Sequence, residues 1–320
     1  MTLLQKLTPT NLLEEKEKFL ADNSYNPQFI YSEEITASKL LQYGKPKQKY
    51  LTLAQEILDR AYFGRNEADL LMMEGPIISH QEVNQKIASF LDMHHLTERY
   101  QVIWSSSFVS RASITKDKIK LRTSSEFRKD DLIGMLYHEI GTHALRNINY
   151  EQQPWFKKKK EFGFSDYLLT EEGLASLHSL LPKDYKSAYK SAIRYVSVTY
   201  AQAHSFSELW KFLGNYIQDP ETRWMVTIRQ KRGLTDTSHP GGYSKDLVYF
   251  AGMIEVWRWL KERNFNPSDL YFGKISFKDV QKAIEMNPEF EPKLPSFFSI
   301  NPVQYAAEIE KIGEENQFKR

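Results

Sequence analysis

Residues 136–144 read Leu-Tyr-His-Glu-Ile-Gly-Thr-His-Ala, with His138 and His143 five positions apart and Glu139 directly after the first. The surrounding pattern, from about Arg128 to Asn147, is helical. A regular helix turns about 100° per residue, so a four-residue step returns to within about 40° of the same face. A five-residue step lands about 140° away, too far for two imidazoles to close on one ion. One extra residue in the turn, a π-bulge, brings them back together, and such bulges concentrate at functional sites. Gly141 lies inside the turn, where a missing Cβ eases distortion. The spacing therefore predicts a bulged turn over 139–143.

Two imidazoles aimed at one point suit a divalent cation, and with a carboxylate they form the His₂Glu set that favours zinc, with a position left open for water. The familiar zincin spelling is H-E-x-x-H. In that arrangement the Glu after the first His binds no metal; it takes a proton from the activated water and passes it to the leaving amine. Glu139 occupies that place. The third ligand belongs on a neighbouring helix, and Thr170-Glu171-Glu172-Gly173-Leu174-Ala175 supplies candidates. Thr170 reads as an N-cap, with two acidic residues in the first turn suiting the helix dipole.

Working outward, a helix is expected over 47–63. Another follows Ser79, where Ser79 and Glu82 form a capping-box pattern. Residues 100–104 read as a strand. Residues 111–115 and 118–123 alternate with period two around Lys116-Asp117, a hairpin pattern. The motif helix follows at once, and the rest is mostly helical. The fold class read from this order is α+β, mainly α-helical, with a small antiparallel sheet followed by an active-site helix. The strand 118–123 is the expected sheet edge for an extended peptide. The domain reading is a helical extension over 1–46, a catalytic domain over 47–265, and a C-terminal helical extension over 266–320 packed on the same domain.

Composition narrows the chemistry. The chain of 320 residues has no cysteine, which excludes disulfides, thiolate nucleophiles and Cys-ligated metals. With 43 Lys+Arg against 41 Asp+Glu, net charge is +2, and no overall basic field calls for nucleic acid or anionic lipid. No secretory signal or membrane-spanning stretch is read, so a cytoplasmic location is expected. The sequence is silent on oligomeric state.

HEIGTH followed by EEGLA resembles the QEGLA-motif protein family, whose bacterial members are named flavohaemoglobin-expression modulators. The microtubule-associated tyrosine carboxypeptidases of animals look like distant members. The dipeptidyl peptidase III family shares the His spacing, and the E-G-x-A element is similar to the third-ligand element of gluzincins. Residues 231–238, Lys-Arg-Gly-Leu-Thr-Asp-Thr-Ser, with 240–246, Pro-Gly-Gly-Tyr-Ser-Lys-Asp, and Tyr249 resemble a second family signature. The resemblance implies a gluzincin-like fold, one Zn²⁺ per chain held by His138, His143 and Glu172, Glu139 as base, and a carboxypeptidase with an aromatic terminal preference. Glu171 stands where the family usually shows Gln, and Gly173-Leu174-Ala175 sets the register that favours Glu172.

A carboxypeptidase needs a cation for the terminal carboxylate, ideally a bidentate Arg. Arg229, Lys231, Arg232 and Lys245 are candidates, with Lys245 and Arg229 ranked first. An oxyanion donor is also needed; Tyr243, Tyr249 and His239 are candidates, with Tyr249 ranked first. His178 is expected to pack or to support the site. His80, His94 and His95 are expected at the surface or as caps, and His204 near a helix end. The expected partner is a peptide or protein C-terminus. The alternatives are an aminopeptidase or dipeptidyl peptidase with the same zinc chemistry, or a regulatory zinc-binding protein acting through partners.

Overall fold

The computed structural model describes residues 3–106, 108, 111–115 and 117–319. In chain order the elements used below begin with α1 (Leu12–Ala21) and α2 (Gln48–Tyr62). Next come β1 (Ile77–Ile78), α3 (His80–Met93), β2 (Gln101–Ser105), β3 (Ala112–Ile114), β4 (Lys118–Arg122) and β5 (Phe127–Arg128). The motif region is α4 (Lys129–His138), a π-helical turn (Glu139–Ala144) and α5 (Leu145–Glu151). Then follow α6 (Leu168–His178), α7 (Tyr189–Ala201), α8 (Phe206–Leu213), α9 (Pro220–Lys231), α10 (Leu247–Lys261), α11 (Val280–Met286) and α12 (Pro302–Glu315). The fold is mainly helical with small sheets, the α+β class read from the sequence. No described helix is long and apolar enough to cross a membrane.

The chain forms two compact units, Met1–Asp69 with Ala188–Phe250, and Leu70–Ser187 with Ala251–Arg320. In the first, α2 buries Tyr50, Leu53, Ala54, Ile57, Leu58 and Ala61, residues at helical spacing that form one apolar stripe, against α7. A separate aromatic core joins Phe19 of α1 to Phe206 and Trp210 of α8, edge-on at 4.9 and 5.1 Å, and to Trp224 of α9. Edge-to-face packing of this kind adds to the area term because positive ring edges meet negative ring faces.

The second unit carries the sheets. The Ser79 capping box forms as predicted, with Glu82 N donating to Ser79 Oγ and Ser79 N to the Glu82 carboxylate. β3 and β4 pair antiparallel in register Ala112↔Leu121 and Ile114↔Ile119, giving the expected hairpin; Lys116 of its turn lies outside the described residues. β1 and β5 form a second antiparallel pair.

The strand over 118–123 is not the sheet edge: β2 joins β4 in parallel, Gln101↔Lys118 to Ser105↔Arg122, so the order is β2-β4-β3 and β4 is central. Its alternation explains the place, since Ile119 and Leu121 are buried while Lys118, Lys120 and Arg122 are only half-buried. The edge beside the motif turn is β3, which lies against the π-helical turn.

α6 is the central helix, with every residue from Thr170 to His178 buried. It begins earlier than the sequence suggested. Asp166 Oδ1 accepts from Leu168 N at 2.8 Å and starts the turn, so Tyr167 is the N-cap. Thr170 lies inside the helix, where its Oγ1 accepts from Phe277 N.

Candidate active site

The predicted bulge is present as a π-helical turn from Glu139 to Ala144, continuous with α4 and α5. Thr142 Oγ1 donates back to Tyr137 O at 2.9 Å, one of the bonds that hold the widened turn. Gly141 serves a second purpose besides easing it. A Cβ there would stand 2.4 Å from the Phe297 ring, which stacks on Tyr137 at 4.3 Å.

This turn brings the two imidazoles together. His138 Nε2 and His143 Nε2 are 3.1 Å apart. Glu172 Oε2, from α6, lies 3.9 Å from His138 Nε2 and 3.6 Å from His143 Nε2. A tetrahedral ion with bonds of about 2.0–2.1 Å sets its ligand atoms about 3.3 Å apart. The three atoms are therefore spaced for one cation of zinc's size, and among the described residues they form the group of His and carboxylate side chains able to hold a metal. The donor chemistry, two imidazoles and one carboxylate, also fits zinc.

Glu172 reaches this point because α6 can approach α10 closely. A Cβ on Gly173 would lie 2.3 Å from the Gly252 carbonyl carbon, and one on Gly252 would lie 2.2 Å from Leu169 O. The glycine of the EEGLA stretch is thus a helix-contact residue, and the carboxylate before it takes its position from that contact.

Glu171 is buried and faces the other way. Its Oε1 accepts from His143 Nδ1 at 2.8 Å and lies 3.3 Å from Lys274 Nζ, while Oε2 accepts from Arg146 NH1. Burial alone would raise its pKa, but Lys274 and Arg146 outweigh that and hold it far below the usual carboxylate range. His143 is in the opposite situation. Burial pushes its pKa down, yet hydrogen bonds to Glu171 and Glu172 raise it to about 10. A metal ion at His143 Nε2 would compete with a proton there. Glu139, at the start of the π-turn, is half-buried.

Several supporting residues escaped the sequence reading. Arg146 is fully buried; besides Glu171 it donates from Nε to Leu270 O and from NH2 to Ile275 O. Its only sequence signal is an arginine on the motif helix shortly after the second His. Tyr271 OH donates to Gly141 O at 2.6 Å. His178 supports the turn, as expected. Its Nδ1 donates to Thr142 Oγ1 at 2.7 Å and its Nε2 accepts from Tyr305 OH at 2.8 Å, with burial keeping the ring neutral. Tyr271, Lys274, Phe297 and Tyr305 all lie past residue 265, where no motif marks them.

His94 is the C-cap of α3, one of the two places expected for it, and is buried; its Nδ1 donates to Phe90 O and its Nε2 accepts from Ser296 N, so both ring nitrogens are internally satisfied. His80 stacks on Trp104 at 4.1 Å, and His95 adopts a positive φ just past α3. His204 donates from Nδ1 to Tyr200 O.

The proposed substrate residues belong to the first unit. Arg229 donates from Nε and NH2 to Asp246 at 2.6 and 2.7 Å, a bidentate pair. Lys231 is fully buried and donates to three carbonyls, those of Ala201, His204 and His239; burial lowers its pKa to about 8. Lys245 Nζ and the guanidinium of Arg229 each stand 5.8 Å from the Tyr249 ring centre, and Arg194 stands 5.1 Å from it. Arg194 is a further cation that no motif marks. Tyr249 and Tyr243 are both buried, Arg232 lies over the Tyr243 ring, and His239 is exposed beside Asp236.

The sequence profile of the family described as "Microtubule-associated tyrosine carboxypeptidase" matches residues 28–295. MATCAP2 of Mus musculus is 32% identical over 326 residues, covering 99% of this chain and 62% of its own. Microtubule-associated tyrosine carboxypeptidase 1 is 31% identical over 323 residues in Mus musculus, covering 98% of this chain and 69% of its own. The Homo sapiens protein of that name is 30% identical over 323 residues, covering 98% and 68%. The chain spans about three fifths to two thirds of these relatives' length. On these matches, the chain belongs to the microtubule-associated tyrosine carboxypeptidase family.

Proposed function

We propose that this protein is a zinc-dependent carboxypeptidase that removes a C-terminal residue, aromatic by preference, from peptides or proteins of the cytoplasm. The observation that carries the proposal is the convergence of His138 Nε2, His143 Nε2 and Glu172 Oε2 within 4.8 Å of one another. The named activity of the relatives supports the exopeptidase part.

His138, His143 and Glu172 hold the ion in this reading, one per chain. Zinc supplies Lewis acidity when bound and lowers the proton affinity of water at the site. Glu139 takes the proton from the attacking water and delivers it to the amine released from the scissile bond. An extended substrate pairs with the outer edge of β3, which has a ladder partner on one side only among the described strands and lies against the π-turn.

Among the sequence candidates for the carboxylate anchor, Lys245 is kept. Arg229 is paired with Asp246, and Lys231, engaged by three carbonyls, is left out. Tyr249, in the first turn of α10, is retained as the oxyanion donor and Tyr243 as a substrate-binding residue.

The test is incubation with peptides whose termini are free or blocked at either end, with and without chelator, read by mass spectrometry. The expected result is loss of one residue from free C-termini, stopped by chelator and restored by zinc. Cleavage that depends on a free N-terminus assigns the aminopeptidase class instead. Full zinc occupancy without turnover of any peptide assigns a regulatory binding role.

A further inference from the structure

The segment Leu270–Ile275 carries no recognisable motif, yet it touches the motif helix at point after point. The carbonyls of Leu270 and Ile275 accept from Arg146 Nε and NH2 at 2.8 and 2.7 Å. These two bonds fix the guanidinium so that NH1 faces Glu171. Tyr271 OH donates to the carbonyl of Gly141, inside the π-turn. Lys274 Nζ sits 3.3 Å from Glu171 Oε1. Gly273, at φ +119, lets the loop pass Tyr150, whose Cα would stand 3.0 Å from an added Cβ.

We propose that this loop is a positioning clamp for the candidate metal turn, acting on it through Glu171 and Gly141. The clamp rests on the zinc reading above and adds to it the means by which the ligands are held. Two physical effects combine. A π-turn widens the ladder and disturbs the ordinary backbone pairing, so a carbonyl within it needs a donor from elsewhere; Tyr271 provides one. Glu171, held at both oxygens, cannot swing in as a competing ligand, and it keeps the proton on His143 Nδ1. The Nε2 lone pair then faces His138 and Glu172. A carboxylate behind a ligating imidazole sets its tautomer and orientation, and losing such a partner typically costs 10–100-fold in metal affinity.

The experiment measures zinc affinity by competition with a chromophoric chelator, together with the visible spectrum of the cobalt-substituted protein. Tyr271→Phe removes one hydroxyl at nearly constant volume, and Glu171→Gln keeps an acceptor while removing the charge. Both variants are expected to fold, to bind zinc about tenfold or more weakly, and to shift the cobalt bands as the imidazoles reorient. Zinc affinity within twofold of wild type in both variants overturns the clamp. Weaker binding with an unaltered cobalt spectrum overturns it too, because general loosening leaves the geometry of the bound fraction unchanged. If the unmodified chain takes up no stoichiometric zinc, the metal reading itself has failed, a result separable from the other two because it needs no variant.

Discussion

Two stretches carry motifs, the turn 138–143 and the loop after α9 with the helix ends that flank it (229–249), and both are rich in ionisable side chains. They differ in where their polar atoms go. In the π-turn, the outer atoms of His143 are tied down by Glu171, while the inner nitrogens of both imidazoles face Glu172. In the loop, the cations are largely engaged internally: Arg229 with Asp246, and Lys231 with three carbonyls. A motif residue offers chemistry to a ligand only when the fold leaves its reactive atom without a competing internal partner. Much of the second signature thus preserves a loop conformation.

That contrast can be broken most sharply at Glu139. Glu139→Gln should retain a full equivalent of zinc and lose about 10²–10⁴-fold in turnover; unchanged turnover would remove the base assignment and with it the functional side of the comparison. His143→Ala should leave no stoichiometric zinc by elemental analysis, since two ligands alone do not make the site. In the loop the expected effects fall on stability. Lys231→Met strands three buried carbonyls and should cost about 2–4 kcal/mol in denaturant unfolding, with KM unaltered. A selective rise in KM would mean that this lysine serves substrate after all.

Asp246→Asn should cost about 2 kcal/mol, discounted from the range for buried pairs because Arg229 is partly exposed. The pH dependence has a definite sign. Burial would raise the Asp246 pKa, but Arg229 holds it well below the usual carboxylate value. Its stabilising contribution is therefore complete above the unfolded value of about 4 and is lost as pH falls toward the folded one. The stability gap between wild type and Asp246→Asn should shrink below about pH 4; a gap that widens there would contradict the pairing. The smallest effect is expected for Lys245→Ala, about a tenfold rise in KM for free-acid peptides. An equal rise for amidated peptides would argue against a carboxylate anchor.

The sequence reveals the motif turn well because its geometry is local. The step from His138 to His143 cannot close on a regular helix, so the π-turn follows from angular arithmetic alone. The capping box at Ser79 and the hairpin into β4 are legible for the same reason. What stays hidden is non-local. The parallel addition of β2, which moves the free edge from β4 to β3, depends on a crossover that period-two alternation does not encode. Glu171 reads as a helix-start carboxylate and becomes the partner of His143 only once α6 lies beside the turn. Tyr271, Lys274 and Tyr305 come from a tail whose sequence shows only short helices and prolines, and their roles exist only in three dimensions.

The contact of Gly173 with Gly252 has a mechanical consequence. Two backbones meet there with no side chain as spacer, so the reach of the Glu172 carboxylate is gauged by a residue on a distant helix that touches none of the reacting groups. An alanine at position 252 would act as a shim, wedging the helices apart and drawing that oxygen back from the imidazoles. A residue without a side chain thereby sets the bore of the candidate metal site.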